Sequence, residues 1–173
     1  MTRTPTLTRI IVAIDPGLTG AIAWLSVADD KIDLLAVHDI PTATTTQNRK
    51  KKSQLLMAAT VPLIRTPFCV AAVIIEEVSA MPGQGVTSMF RFGYTAGALA
   101  GLASGLGLPV HFIRPQEWQR AVRQPKGDKD AGRLRANQIF PNHAHLFARK
   151  MDHNRADAAL IGLGWALLNT PTK

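Results

Sequence analysis

The sequence predicts an α/β sandwich built around a mixed five-stranded sheet, and three observations predict it. Three short runs of apolar and β-branched residues follow one another between Thr8 and Ile40, separated only by tight polar connections. The continuous apolar run Val70-Ala71-Ala72-Val73-Ile74-Ile75 then reads as a strand covered on both faces, which calls for a parallel neighbour and helices on each side. Beyond it, helical and extended patterns alternate. With 173 residues, 46% of them hydrophobic, the chain can bury one core, and a single domain over 1–173 is expected.

The first strand covers Thr8 to Ile14 and stops at Asp15-Pro16-Gly17, where proline removes a ladder donor and a turn begins. Ala21 to Val27 and Ile32 to Ile40 are the second and third strands, joined through Gly17-Leu18-Thr19-Gly20 and Ala28-Asp29-Asp30-Lys31. A polar loop, Thr42 to Ser53, leads to a helix from Gln54 to Arg65. The buried strand Val70 to Glu76 follows, then a helix from Thr87 to Leu106 and a strand from Val110 to Ile113. Helices near Gln116 to Val122, Lys129 to Phe140 and Arg155 to Leu168 complete the chain. The uncharged stretch Phe92 to Val110 is about as long as a membrane span. Gly and Ala dominate it and Gly107-Leu108-Pro109 interrupts it, so it reads as a buried helix and a turn, with no membrane association.

Twenty Lys and Arg against twelve Asp and Glu give a net charge of +8, which calls for a polyanionic partner such as DNA, RNA or an anionic membrane. Cys69 is the single cysteine, so no internal disulfide can form; a reducing compartment and a small buried hydrophobe are the simpler readings. Met1-Thr2-Arg3-Thr4-Pro5 carries no apolar signal core ahead of the first strand, which favours a cytoplasmic protein.

Against this basic background the placement of the acids is informative. Asp15 and Glu76 each close an apolar strand, and Asp152 and Asp157 flank the start of the last helix. Adjacent strands lie about 4.8 Å apart, so carboxylates at neighbouring strand ends can share cations. A converging set of this kind is costly unless divalent metal neutralises it. Hard oxygen ligands suit Mg²⁺, with Mn²⁺ as a substitute, and a pair of ions would serve phosphodiester hydrolysis.

Ala13-Ile14-Asp15-Pro16-Gly17-Leu18-Thr19-Gly20, Ile74-Ile75-Glu76-Glu77-Val78 and Arg155-Ala156-Asp157-Ala158-Ala159-Leu160 resemble the RuvC-type Holliday junction resolvases. Met81-Pro82-Gly83-Gln84-Gly85, Phe90-Arg91-Phe92-Gly93 and Pro115-Gln116-Glu117-Trp118 look like the bacteriophage and prophage branch. The resemblance runs from about Ile10 to Leu168. It implies a ribonuclease H-like fold, a homodimer in a bacterial host cell, and a crossover junction endodeoxyribonuclease making paired metal-dependent incisions in four-way DNA. No nucleotide cofactor is implied.

Carried over by motif, Asp15 matches the first catalytic aspartate, Glu76 the strand-end glutamate and Asp157 the aspartate at the start of the last helix. The family places an acid or histidine three residues before that last aspartate, and here Asn154 stands there. Asp152 and His153 are the available substitutes. His153 could share a helical face with Asp157, while Asp152 could be an N-cap; Asp152 is favoured as the harder ligand for Mg²⁺. Ser79 stands roughly where cellular resolvases carry an aromatic that unstacks bases, which leaves Met81, Phe90 or Phe92 to supply a wedge.

Ten Lys or Arg against four Asp or Glu lie between Arg114 and Arg155. Lys126, Lys129, Arg133 and Arg135 are the expected phosphate contacts, Lys129 matching a family lysine near the scissile phosphate. Lys50, Lys51 and Lys52, following Arg49 in the polar loop, are either a second DNA contact or a solubilising run. Contacts of both kinds read backbone and shape, so binding should weaken steeply with salt. Gly93, Gly97, Gly101 and Gly105 give one helix a smooth face; packing onto the sheet is the simpler explanation and a dimer interface the other. His143 and His145 lack a third ligand and read as a solvated loop.

Three other functions compete. A related nuclease acting on flaps or RNA–DNA hybrids would use the same acids. An actin-like kinase shares the Asp15-Pro16-Gly17-Leu18-Thr19 turn but needs a second domain. A catalytically inactive protein that binds branched DNA would not need all the acids retained.

Overall fold

A computed structural model describes residues 8–28, 31–47, 50–79, 83–125 and 130–169, the side chains of 47 and 50–52 excepted. Its five-stranded sheet is formed by β1 (Arg9–Asp15), β2 (Ala21–Ala28), β3 (Lys31–Asp39), β6 (Val70–Glu76) and β7 (Val110–Ile113), in the order β3-β2-β1-β6-β7. β1 pairs antiparallel with β2 and β2 with β3, whereas β1–β6 and β6–β7 are parallel. The mixed sheet expected from the apolar runs is therefore present, with β1 at the seam between its two halves.

Strand alternation sorts the core into two layers. Ile11, Ala13, Leu25 and Ile74 point to the layer covered by α5 (His153–Asn169), which also holds Phe147, Leu160 and Ile161. Val12, Ile14, Ile22, Val73 and Ile75 point to the other layer, closed by Ile64 of α1 (Met57–Arg65) and by Leu99 and Ala103 of α2 (Val86–Gly105). α5 lies close to the sheet because its inner face is small: a Cβ at Gly162 would fall 2.9 Å from that of Ala13. α3 (Pro115–Ala121) wedges Trp118 against the same helix, and α4 (Ala131–Ile139) packs beside it.

Four sequence expectations are corrected. Thr42 to Ser53 is not a loop: β4 (Thr42–Gln47) and β5 (Lys50–Leu55) form a separate antiparallel hairpin, and α1 begins at Met57 rather than Gln54. β-Branched Thr42, Thr44, Thr45 and Thr46 favour extended backbone, but without apolar alternation they give no core-facing strand signal. Among the described residues, no atom beyond the adjoining backbone of the helix itself lies within 4 Å of where a Cβ would stand at Gly93, Gly97, Gly101 or Gly105, so this face does not pack on the sheet. Cys69 is exposed rather than buried. No helix among the described residues is long and apolar enough to cross a membrane.

Candidate metal centre and nuclease site

β1 and β6 run parallel, so both end at the same edge of the sheet. Ile14 is in register with Ile75, and one step further along stand Asp15 and Glu76. Asp15 continues the row of Ile11 and Ala13, and Glu76 that of Ala72 and Ile74, so alternation turns both carboxylates toward the α5 layer. Asp157, in the second turn of α5, meets them from above. The helix runs on over β1 and β2, and small Ala156, Ala158 and Ala159 let it sit deep.

The electrostatics show how closely the three acids interact. Burial, then the charges of Glu76 and Asp157, push the Asp15 carboxyl up to about 8, although the Gly17 N–H donates to it and works the other way. Burial and Glu76 push Asp157 up to about 6, opposed by His153. Burial raises Glu76 as well, offset by the Trp118 indole, whose Nε1–H donates to Glu76 Oε1 at 2.8 Å. α4 presses on the site from the side: a Cβ at Gly132 would come 2.7 Å from Asp157 Oδ1.

Among the described residues no Lys or Arg pairs with any of these three carboxylates. Nor, among the described residues, are three His, Cys, Asp or Glu side chains already gathered tightly enough to close on one ion. The three acids interact through space, the charge of Glu76 acting on both Asp15 and Asp157. Buried, mutually repelling oxygens without a cationic partner are the donor set that a hard divalent ion fits.

Asp152, expected as the fourth ligand, is placed elsewhere. Its side chain is 2% exposed and sits in the 3₁₀ turn before α5, where Arg149 donates to Oδ1 at 2.8 Å and Arg155 lies 3.8 Å away. The Arg149 hydrogen bond is the largest influence on Asp152 and holds its carboxyl below the ordinary aspartate range, the reverse of the shift on the other three acids. It is committed to two arginines. His153 is exposed, its Nδ1 3.3 Å from the Lys150 carbonyl, although its charge does reach Asp157. Asn154 turns its amide to the turn after Asp15, donating to the Thr19 carbonyl and hydroxyl oxygens.

The expected DNA contacts divide in the same way. Arg133 Nη1 donates to the carbonyls of Phe147 and Ala148, and Arg135 Nε to the carbonyl of Val122 at 2.7 Å, so both brace the fold rather than face outward for phosphate. Lys126 and Lys129 lie outside the described residues, as do Met81 and the side chains of Lys50, Lys51 and Lys52. Phe90 is 74% exposed on the first half of α2. Trp118 and Gly132 went unassigned from sequence, because 42 residues separate Trp118 from Glu76 and no local pattern links them.

Solved structures share this architecture. Thermus thermophilus RuvC in complex with a Holliday junction substrate superposes with a TM-score of 0.59 at 17% identity, covering 93% of this chain and 97% of that one. The fold is that of RuvC. A second Thermus thermophilus RuvC structure gives 0.54 at 19% identity over 93% and 97% of the two chains. The yeast mitochondrial Holliday junction resolvase Ydc2 gives 0.52 at 12% identity over 92% and 80%. In sequence, 95 residues, 54% of the chain, are 32% identical to the chloroplastic Holliday junction resolvase MOC1 of Chlamydomonas reinhardtii. The chain spans 10% of that relative's length. No family model matches the chain.

Proposed function

We propose that this protein is a Holliday junction resolvase, an endonuclease that cuts four-way DNA with divalent metal held by Asp15, Glu76 and Asp157. The observation that carries the reading is the convergence of these carboxylates at the ends of two parallel strands beneath α5, where burial raises all three and neighbouring carboxylates raise Asp15 and Asp157 further. Likeness to RuvC and the partial identity to a chloroplastic resolvase support the same class of substrate.

A pair of Mg²⁺ or Mn²⁺ ions at this edge would offset the negative charge and supply an activated water and a Lewis acid to the scissile phosphate. The chain's own residues supply position. Trp118 fixes one oxygen of Glu76, the Gly17 N–H fixes Asp15, and α4 bears on Asp157 from the side. Among the described residues these three carboxylates converge, and the arrangement does not depend on Asp152. Lys126, Lys129 and the Lys50–Lys52 run are the proposed phosphate contacts, and their positive charge would be felt along a DNA backbone.

A homodimer is the proposed assembly, because two incisions across a junction need two sites. The exposed face of α2, with Val86 80%, Phe90 74% and Tyr94 67% exposed beside the glycine stripe, is the surface offered to a second copy.

The reading is tested by incubating four-way, three-way, flap and RNA–DNA hybrid substrates with Mg²⁺ and either wild type or Asp15→Asn. Wild type is expected to cut the four-way junction fastest, in paired nicks, and Asp15→Asn to bind it without cutting. Full activity in Asp15→Asn would reject the site. A preference for flaps or hybrids would move the protein to another nuclease class on the same fold.

A further inference from the structure

Several polar ties converge on the start of α5 without joining the carboxylate cluster. Arg149 closes the preceding turn onto Asp152, its backbone N–H reaching Oδ2 at 2.8 Å and its guanidinium Oδ1 at 2.8 Å. Arg155 makes a two-pronged pair with Asp39 at the end of β3, both contacts 2.6 Å. Between them in sequence, Asn154 donates to Thr19. Because the Thr19 carbonyl only accepts, the amide nitrogen must be the atom that faces it.

These ties divide the work. Asp152, Arg149, Arg155 and Asp39 anchor the helix start to β3, so Asn154 projects from a fixed base. What Asn154 grips is the turn that begins at Asp15, while Asp157 stands three residues further along the same helix. The turn closes on itself through Gly20 N–H to the Gly17 carbonyl, and Ile40 N–H holds the Gly20 carbonyl. A hollow of about 320 Å³ lies between Leu18, Thr19 and Gly20 on one side and Asp152 and His153 on the other, so Asn154 ties the turn to α5 across a gap that packing does not fill.

We propose that Asn154 is a positioning residue: it latches the turn after Asp15 to the helix that carries Asp157, and so sets the spacing of the two carboxylates without itself holding metal. The inference rests on the reading of Asp15 and Asp157 as ligands of a shared cation. Aspartate in its place has no N–H to donate and would set oxygen against the Thr19 carbonyl, so a side chain of the same shape should fail as a latch.

The test is Mn²⁺ titration calorimetry on the DNA-free protein for wild type, Asn154→Ala and Asn154→Asp, together with amide hydrogen exchange of residues 17–20. Both variants should weaken Mn²⁺ binding about fivefold or more, the equilibrium effect of one lost hydrogen bond. Both should also speed exchange across the turn, with junction binding in EDTA unchanged. Tighter Mn²⁺ binding by Asn154→Asp would mean that position 154 is itself a ligand, and would overturn the latch. Wild-type Mn²⁺ affinity and exchange in both variants would overturn it too. If the wild type took up no Mn²⁺ at all, the metal reading itself would fail, which is a separate result.

Discussion

At the scale of single residues, the folded chain holds protons on Asp15 and Asp157 that the unfolded chain would release. A carboxyl whose folded value is raised, to about 8 for Asp15 and about 6 for Asp157, favours the native state at low pH and loses that advantage as pH rises through those values. The metal-free protein should therefore melt at a lower temperature at pH 9 than at pH 5, measured by scanning calorimetry in EDTA. Asp15→Asn should flatten the trend and raise the melting temperature at pH 9 by ~3 °C or more. A divalent ion that binds only the native site would restore the loss by mass action. Trp118 supplies a second residue-scale prediction. Trp118→Phe removes the indole donor from Glu76 and should cost ~1–3 kcal/mol in urea unfolding at neutral pH, with the pH profile of cleavage displaced upward as Glu76 holds its proton more tightly. An unshifted profile would show that the indole only fills space.

At the scale of elements, the site follows from strand alternation and one helix. β1 and β6 were legible because their apolar runs are unbroken, and the same alternation that buries Ala13 and Ile74 turns Asp15 and Glu76 toward α5. The last helix was legible from its apolar run, with its start two residues earlier than expected. Asp152 was not legible: the sequence places it beside the helix start, but only the 3₁₀ turn shows that Arg149 and Arg155 take up its charge. Arg133 and Arg135 misled for a related reason, since a basic residue on a short helix reads as a solvated cation until the carbonyls it caps are known. The hairpin of β4 and β5 lacked the alternation that marks a strand against a core. The close approach of α5 carries its own prediction. Gly162→Val would drive side-chain atoms into Ala13 and Leu25 and should destabilise by ~1–3 kcal/mol, read as a lower urea midpoint with an unchanged slope.

At the scale of the whole molecule, a chain of net charge +8 leaves three of its acids, at one end of its parallel strands, without an ion pair to any described Lys or Arg. Opposite-sign partners were available, since ion pairs form at Asp33, Asp39, Glu77, Asp130 and Asp152. The exposed α2 face belongs to the same scale: if a second copy covers it, Gly97→Leu should shift sedimentation at micromolar concentration from dimer to monomer while leaving the melting curve of the monomer intact. Sedimentation of the wild type as a monomer would count against that assembly. The position of the cation decides the function. Crystals soaked in Mn²⁺ and measured at its absorption edge should show anomalous density ~2.1 Å from oxygens of Asp15, Glu76 and Asp157; density at Asp152 and Arg149 instead, or none near β1 and β6, would contradict it.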